Sequence, residues 1–251
     1  MIEERKPERV RVLGVLVDSL KPERAVSLTI RYLEKHKFEY IVFANTPAAL
    51  LGKEEEMEEY IDQAALVLPG DANIEDAIEV RTWLEEGKCY QAEYFRRLFG
   101  RLNKQRASVY LMMEKEDQLL KVRNIFREKY SRLQVEGGLW QQDTSIDGLV
   151  NSINSLAPDI LFICAGHEAM TAFLKEHACK INAGLCFCME EVATDKDTAI
   201  SEWMQLSGLQ KMIYDCKNNL SRFIHDFLFK KQMKQMKQDE EPEKEEKIEK
   251  S

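Results

Sequence analysis

With 251 residues and a net charge of −8, the chain can bury a sizeable core as one large or two small α/β domains. Its acidic balance argues against nucleic-acid binding, which needs a basic face. No apolar run approaches the roughly 20 residues that span a bilayer, and the 44% hydrophobic and 32% charged shares are those of a soluble globular protein.

In chain order, Arg11-Val-Leu-Gly-Val-Leu-Val17 predicts a first strand, followed by a helix start near Ser19 or Lys21 and an apolar helical stripe over Glu23 to Lys35. Tyr40–Ala44 predicts a second strand, ended by Asn45-Thr46-Pro47, with a helix over Ala48 to Tyr60. Ala64–Leu68 predicts a third strand, closed by Pro69-Gly70-Asp71, and Glu75 to Gln105 a long helical, polar stretch. Strands are expected at Ser108–Met113, Leu133–Glu136, Ile160–Ala165 and Ala183–Met189. Helices are expected at Gln118–Tyr130, Ile146–Ser155 and Ala169–Ala178. Strands built from continuous apolar runs and alternating with helices predict an α/β fold: a mostly parallel, Rossmann-like sheet with helices on both faces.

Beyond Asp195 the pattern is helix alone, with Leu209, Met212, Ile213, Cys216, Leu220, Phe223, Ile224, Phe227 and Leu228 at 3.6-residue spacing. The charged, low-complexity end cannot bury enough apolar surface to fold. The expected division is an α/β domain over 1–195, a C-terminal helical appendage over 196–232 and a disordered tail over 233–251.

Cys164, Cys186 and Cys188 fall inside apolar strand runs and read as buried thiols. Cys186-Phe-Cys188 lacks the C-x-x-C spacing of a zinc or redox site, and no metal is assigned. The charged opening MIEERKPERV carries no secretory signal, which points to a reducing, cytoplasmic setting.

Taken together, five segments in order resemble the bacterial WecG/TagA/CpsF glycosyltransferases over roughly Val10 to Phe229. They are Val12-Leu-Gly-Val-Leu-Val-Asp18, Tyr40-Ile-Val-Phe-Ala-Asn45, Ala65-Leu-Val-Leu-Pro69, Ile153-Asn154 with Pro158-Asp-Ile-Leu-Phe162, and Trp203-Met204 with the helix after it. The resemblance implies transfer of an N-acetylmannosamine-type sugar from a UDP donor, itself a substrate and not a cofactor, onto a lipid-linked acceptor. It also implies a peripheral site at the inner face of the cell membrane, reached through the C-terminal appendage. There the apolar stripe followed by Lys230, Lys231, Lys234 and Lys237 suits an anionic lipid surface. A helix packed on the body or on a partner subunit in a homo-oligomer is the alternative.

Ligands in such folds sit at the carboxyl ends of the strands. By resemblance, Asn45 lines the sugar pocket, reading equally as a turn residue before Pro47; the family's pocket threonine falls on Phe43, and a local shift would bring the Thr46 hydroxyl to it. The family's Pro-Asp-Gly, whose aspartate is the proposed base, appears here reversed as Pro69-Gly70-Asp71. Asp71 is the candidate base, or an N-cap for the next helix. The family's donor-binding Gln-Glu pair falls on Met170 and Thr171 and is lost, while Gly166 with His167 and Glu168 offers a polar pair just before it. The imidazole could meet a diphosphate, or the pair is an exposed histidine and a first-turn acid. Met112-Met113 replaces a family Gly-Gly, and Cys188 to Asp195 replaces a glycine-rich segment. Arg96, Arg97, Arg101 and Arg106 form an arginine cluster that reads as solvated helix charge. A catalytically degenerate paralogue acting as a binding or regulatory partner is therefore the alternative to an active transferase.

Overall fold

The computed structural model of the chain describes residues 8–35, 37–51, 55–84, 89–140, 145–189 and 226–236. The opening segment is not one strand. Strands β1 (Arg9–Val12) and β2 (Val15–Asp18) pair antiparallel around Leu13-Gly14, with Leu13 at φ 53°. A left-handed first residue followed by glycine suits a two-residue hairpin turn. Leu13 is itself buried, so the apolar run hides the turn.

Six further strands form one parallel sheet: β3 (Glu39–Ala44), β4 (Leu66–Pro69), β5 (Ser108–Met113), β6 (Gln134–Leu139), β7 (Ile160–Cys164) and β8 (Leu185–Met189). Their spatial order is β4-β3-β8-β7-β5-β6. The central strands β7 and β8 are buried throughout, as expected of strands covered on both faces.

Helices α1 (Pro22–Glu34), α5 (Tyr90–Gln105) and α6 (Glu116–Lys129) cover one face. Here Tyr94, Phe95 and Phe99 of α5 and Phe126 of α6 join Phe43, Phe162 and Phe187 of the strands in a continuous aromatic core. The predicted Ala48–Tyr60 helix is two: α2 (Thr46–Leu51) and α3 (Glu55–Asp62). The predicted 75–105 stretch holds α4 (Ala72–Ala77), a short 3-10 turn and α5. Helix α3 covers the other face, where Tyr60 stacks on Tyr40 at 5.5 Å. Also on that face are α7 (Ile146–Leu156) and α8 (His167–His177), the latter against α3. Cys186 and Cys188 are buried there with their sulfurs 3.8 Å apart.

Helix α9, over 226–236, continues past 232 into the segment expected to be tail. It buries Phe229 and partly buries Met233 and Met236 against the core. The rest of the predicted appendage and tail lie outside the described residues.

Candidate active site

The ends of β3 and β4 are level, with Ala44 beside Pro69. They press together there: the Gly70 N–H donates to the Ala44 carbonyl at 2.7 Å. A Cβ on Gly70 would fall 2.8 Å from that same carbonyl oxygen, so only glycine fits. Glycine is thus required at position 70, and the carboxylate stands one residue onward at Asp71.

Asp71 sits in extended backbone at the N-cap of α4, where its Oδ1 accepts the Ile74 N–H at 3.1 Å. Its Oδ2 accepts the Thr46 N–H at 2.6 Å, which turns the side chain back towards the end of β3. Burial pushes the carboxyl above the usual aspartate range, while the Thr46 and Ile74 N–H groups and the Thr46 hydroxyl hold it down.

Asn45 caps the following turn by accepting the Ala48 N–H at Oδ1, 2.9 Å. The same oxygen lies 3.4 Å from His167 Nε2, so the two residues meet across the end of β8. His167 is 6% exposed and buried, which corrects its reading as an exposed strand-end histidine. Gly166 is the N-cap of α8 and, among the described residues, has no atom within 4 Å of where a Cβ would stand. Among the described residues the N-terminus of α8 has no side-chain cap, and its first N–H groups with the helix dipole favour an anion. Glu168 is exposed in that first turn, on the solvent side of the helix.

Three residues that sequence reasoning passed over complete this end of the sheet. Asn73 Nδ2 donates to Thr46 Oγ1 at 3.0 Å and to Asp226 Oδ1 at 2.7 Å, tying α9 to the strand-end cluster. Glu75 is 1% exposed: its Oε1 accepts the Tyr90 N–H at 2.8 Å, and Oε2 lies 3.4 Å from Arg81 Nε. Burial, with the nearby Asp71 and Asp76 charges, pushes Glu75 up to about 7 against the pull of Tyr90 N–H and Arg81. Its one sequence signal is placement on the same helical stripe as Ile74 and Ile78.

Asn45, Thr46, Asp71 and His167 therefore converge at the carboxyl ends of β3, β4 and β7, where an α/β sheet binds its ligands. The Glycosyl transferase WecG/TagA/CpsF family matches residues 10–227 of the chain. The chain belongs to this family. Its members are glycosyltransferases, and membership supports a role in cell-surface polysaccharide synthesis. No curated protein matches the chain.

Met112 and Met113, in place of the family's glycines, are buried at the end of β5. Arg96 and Arg97 pair with Glu93 of their own helix, and Arg97 also reaches Glu23 of α1. These two arginines of the predicted cluster are thus engaged on the α1–α5 surface. The family segment following Met189 lies outside the described residues. A cavity of about 280 Å³ opens between α3 and α8, lined by Tyr40, Glu59, Tyr60, Thr171 and Lys175.

Proposed function

We propose that the chain transfers an N-acetylhexosamine of the N-acetylmannosamine type from a UDP donor to a lipid-linked acceptor, in the synthesis of a cell-surface polysaccharide or teichoic acid. The observation that carries this reading is the convergence of Asn45, Thr46, Asp71 and His167 at strand ends in a chain of this family. Asp71 takes the proton of the acceptor hydroxyl as that oxygen bonds to the anomeric carbon. The bond from that carbon to the diphosphate breaks, and UDP leaves with the electron pair. Asn45 and Thr46 orient sugar hydroxyls, and His167 with the open N-terminus of α8 receives the diphosphate. The reaction takes place at the cytoplasmic face of the membrane, with α9 against the lipid.

A second reading, a degenerate paralogue that binds without transferring, is favoured by one feature: both Asp71 oxygens already accept backbone N–H groups. Calorimetric titration with UDP and UDP-N-acetylhexosamines, followed by a donor-turnover assay, separates the two. Binding with turnover supports the transferase. The absence of nucleotide binding at millimolar ligand sinks it.

A further inference from the structure

The two edges of the sheet are finished differently. The β4 edge is covered by the hairpin: the Val67 N–H donates to Asp18 Oδ2 at 2.7 Å, and that carboxylate is held in turn by Arg9 Nε at 3.0 Å. Among the described residues, β6 pairs with β5 alone. The Gln134 N–H donates to the Ala107 carbonyl, and the Trp140 N–H to the Met113 carbonyl. Alternation along the strand therefore turns the N–H and C=O groups of Val135, Gly137 and Leu139 outward from the sheet.

Of the usual protections this edge carries one charged side chain, the exposed Glu136. The segment QVEGGL contains no proline or lysine, and its register with β5 is unbroken by a bulge. The helices above and below it also show apolar surface. Leu119 of α6 faces Gly137 and Leu149 of α7 faces Gly138. The same helices leave Leu120 40% and Ile146 36% exposed.

We propose that the β6 edge docks a second copy of this chain, the two β6 strands pairing antiparallel about a two-fold axis at Gly137. All the outward-facing backbone groups of one copy then meet those of the other, as an isologous contact requires. In this register Val135 faces Leu139 of the second copy, and Gln134 faces Trp140. Glu136 faces the side-chain-free Gly138. Centring the pair on Glu136 instead would set two carboxylates face to face, which disfavours that register. Charge and backbone pattern thus select one arrangement.

The full-length chain should be a dimer by light scattering at high concentration. Amide exchange at Val135, Gly137 and Leu139 should slow at least tenfold from dilute to concentrated protein. Leu139→Lys should shift the mass to monomer. A Gln134→Cys, Trp140→Cys double variant should form an intermolecular disulfide linking those positions, as mapped by peptide mass spectrometry. A monomer at every concentration overturns the proposal. So does a dimer in which these three amides exchange as in the monomer, a reading on the wild-type chain that holds even if a variant fails to fold.

Discussion

Asp71 accepts the Thr46 N–H at 2.6 Å, so one carboxylate joins the ends of two neighbouring strands while capping α4. Two substitutions separate this structural role from the proposed role as base. Asp71→Ala loses both acceptors and should cost about 1–3 kcal/mol in denaturant unfolding. Asp71→Asn keeps one acceptor and should cost about 1 kcal/mol. If Asp71 is the base, Asp71→Asn should still lower kcat by roughly 100-fold or more, with nucleotide affinity little changed. Turnover by Asp71→Asn at the wild-type rate would leave it a cap alone.

Glu75 predicts a pH dependence of stability. Its folded-state value of about 7 lies above the ordinary 4.5, so the protonated form favours the fold. That contribution is fully present below about pH 4.5 and is lost as the pH rises through about 7. Glu75→Gln mimics the protonated side chain and should match wild type near pH 4.5. Above pH 7 it should be the more stable by on the order of 1–3 kcal/mol. Chemical denaturation across that range reads the difference, and a gap that stays flat with pH would contradict the assignment.

The parallel sheet was legible because Tyr40–Ala44, Ser108–Met113 and Ile160–Cys164 are continuous apolar runs bounded by turn residues. The hairpin was not, because a buried leucine occupies its turn. Asn45, Thr46, Asp71 and His167 were singled out because each lies within three residues of a strand's carboxyl end. The burial of His167 could not be read, since it depends on how α8 packs. Glu75 sits in the acid-rich run Ile74-Glu-Asp-Ala-Ile-Glu79, which resembles a solvated helix face. Asn73 and Asp226 are 153 residues apart, and no local pattern announces a pair at that separation.

That pair predicts how α9 is held. Asn73 is a single amide bridging Thr46 and Asp226, and truncating it removes both bonds at once. Asn73→Ala should cost about 1–2 kcal/mol and should raise amide exchange across 226–236 more than across β3 or β4. Asp226→Ala should loosen α9 in the same way while leaving the Asn73–Thr46 bond in place. If neither variant changes exchange in α9, burial of Phe229, Met233 and Met236 holds the helix by itself.

The outer face of α9 predicts membrane binding. Phe227 is 59% and Leu228 39% exposed, while Phe229 turns inward, and the exposed Lys230, Lys231 and Lys234 follow them. Exposed apolar side chains beside cations suit the headgroup region of an anionic bilayer, each lysine contributing about 1 kcal/mol near the surface. Wild-type protein should therefore co-sediment with vesicles containing anionic lipid and not with neutral ones, and salt should release it. A Phe227→Glu, Leu228→Glu variant keeps the inward residues and the fold, yet should lose most of this binding. Neutralising Lys230, Lys231 and Lys234 to Gln should abolish the preference for anionic lipid. Equal binding of wild type and the double glutamate variant would assign α9 to packing against the body of the protein alone.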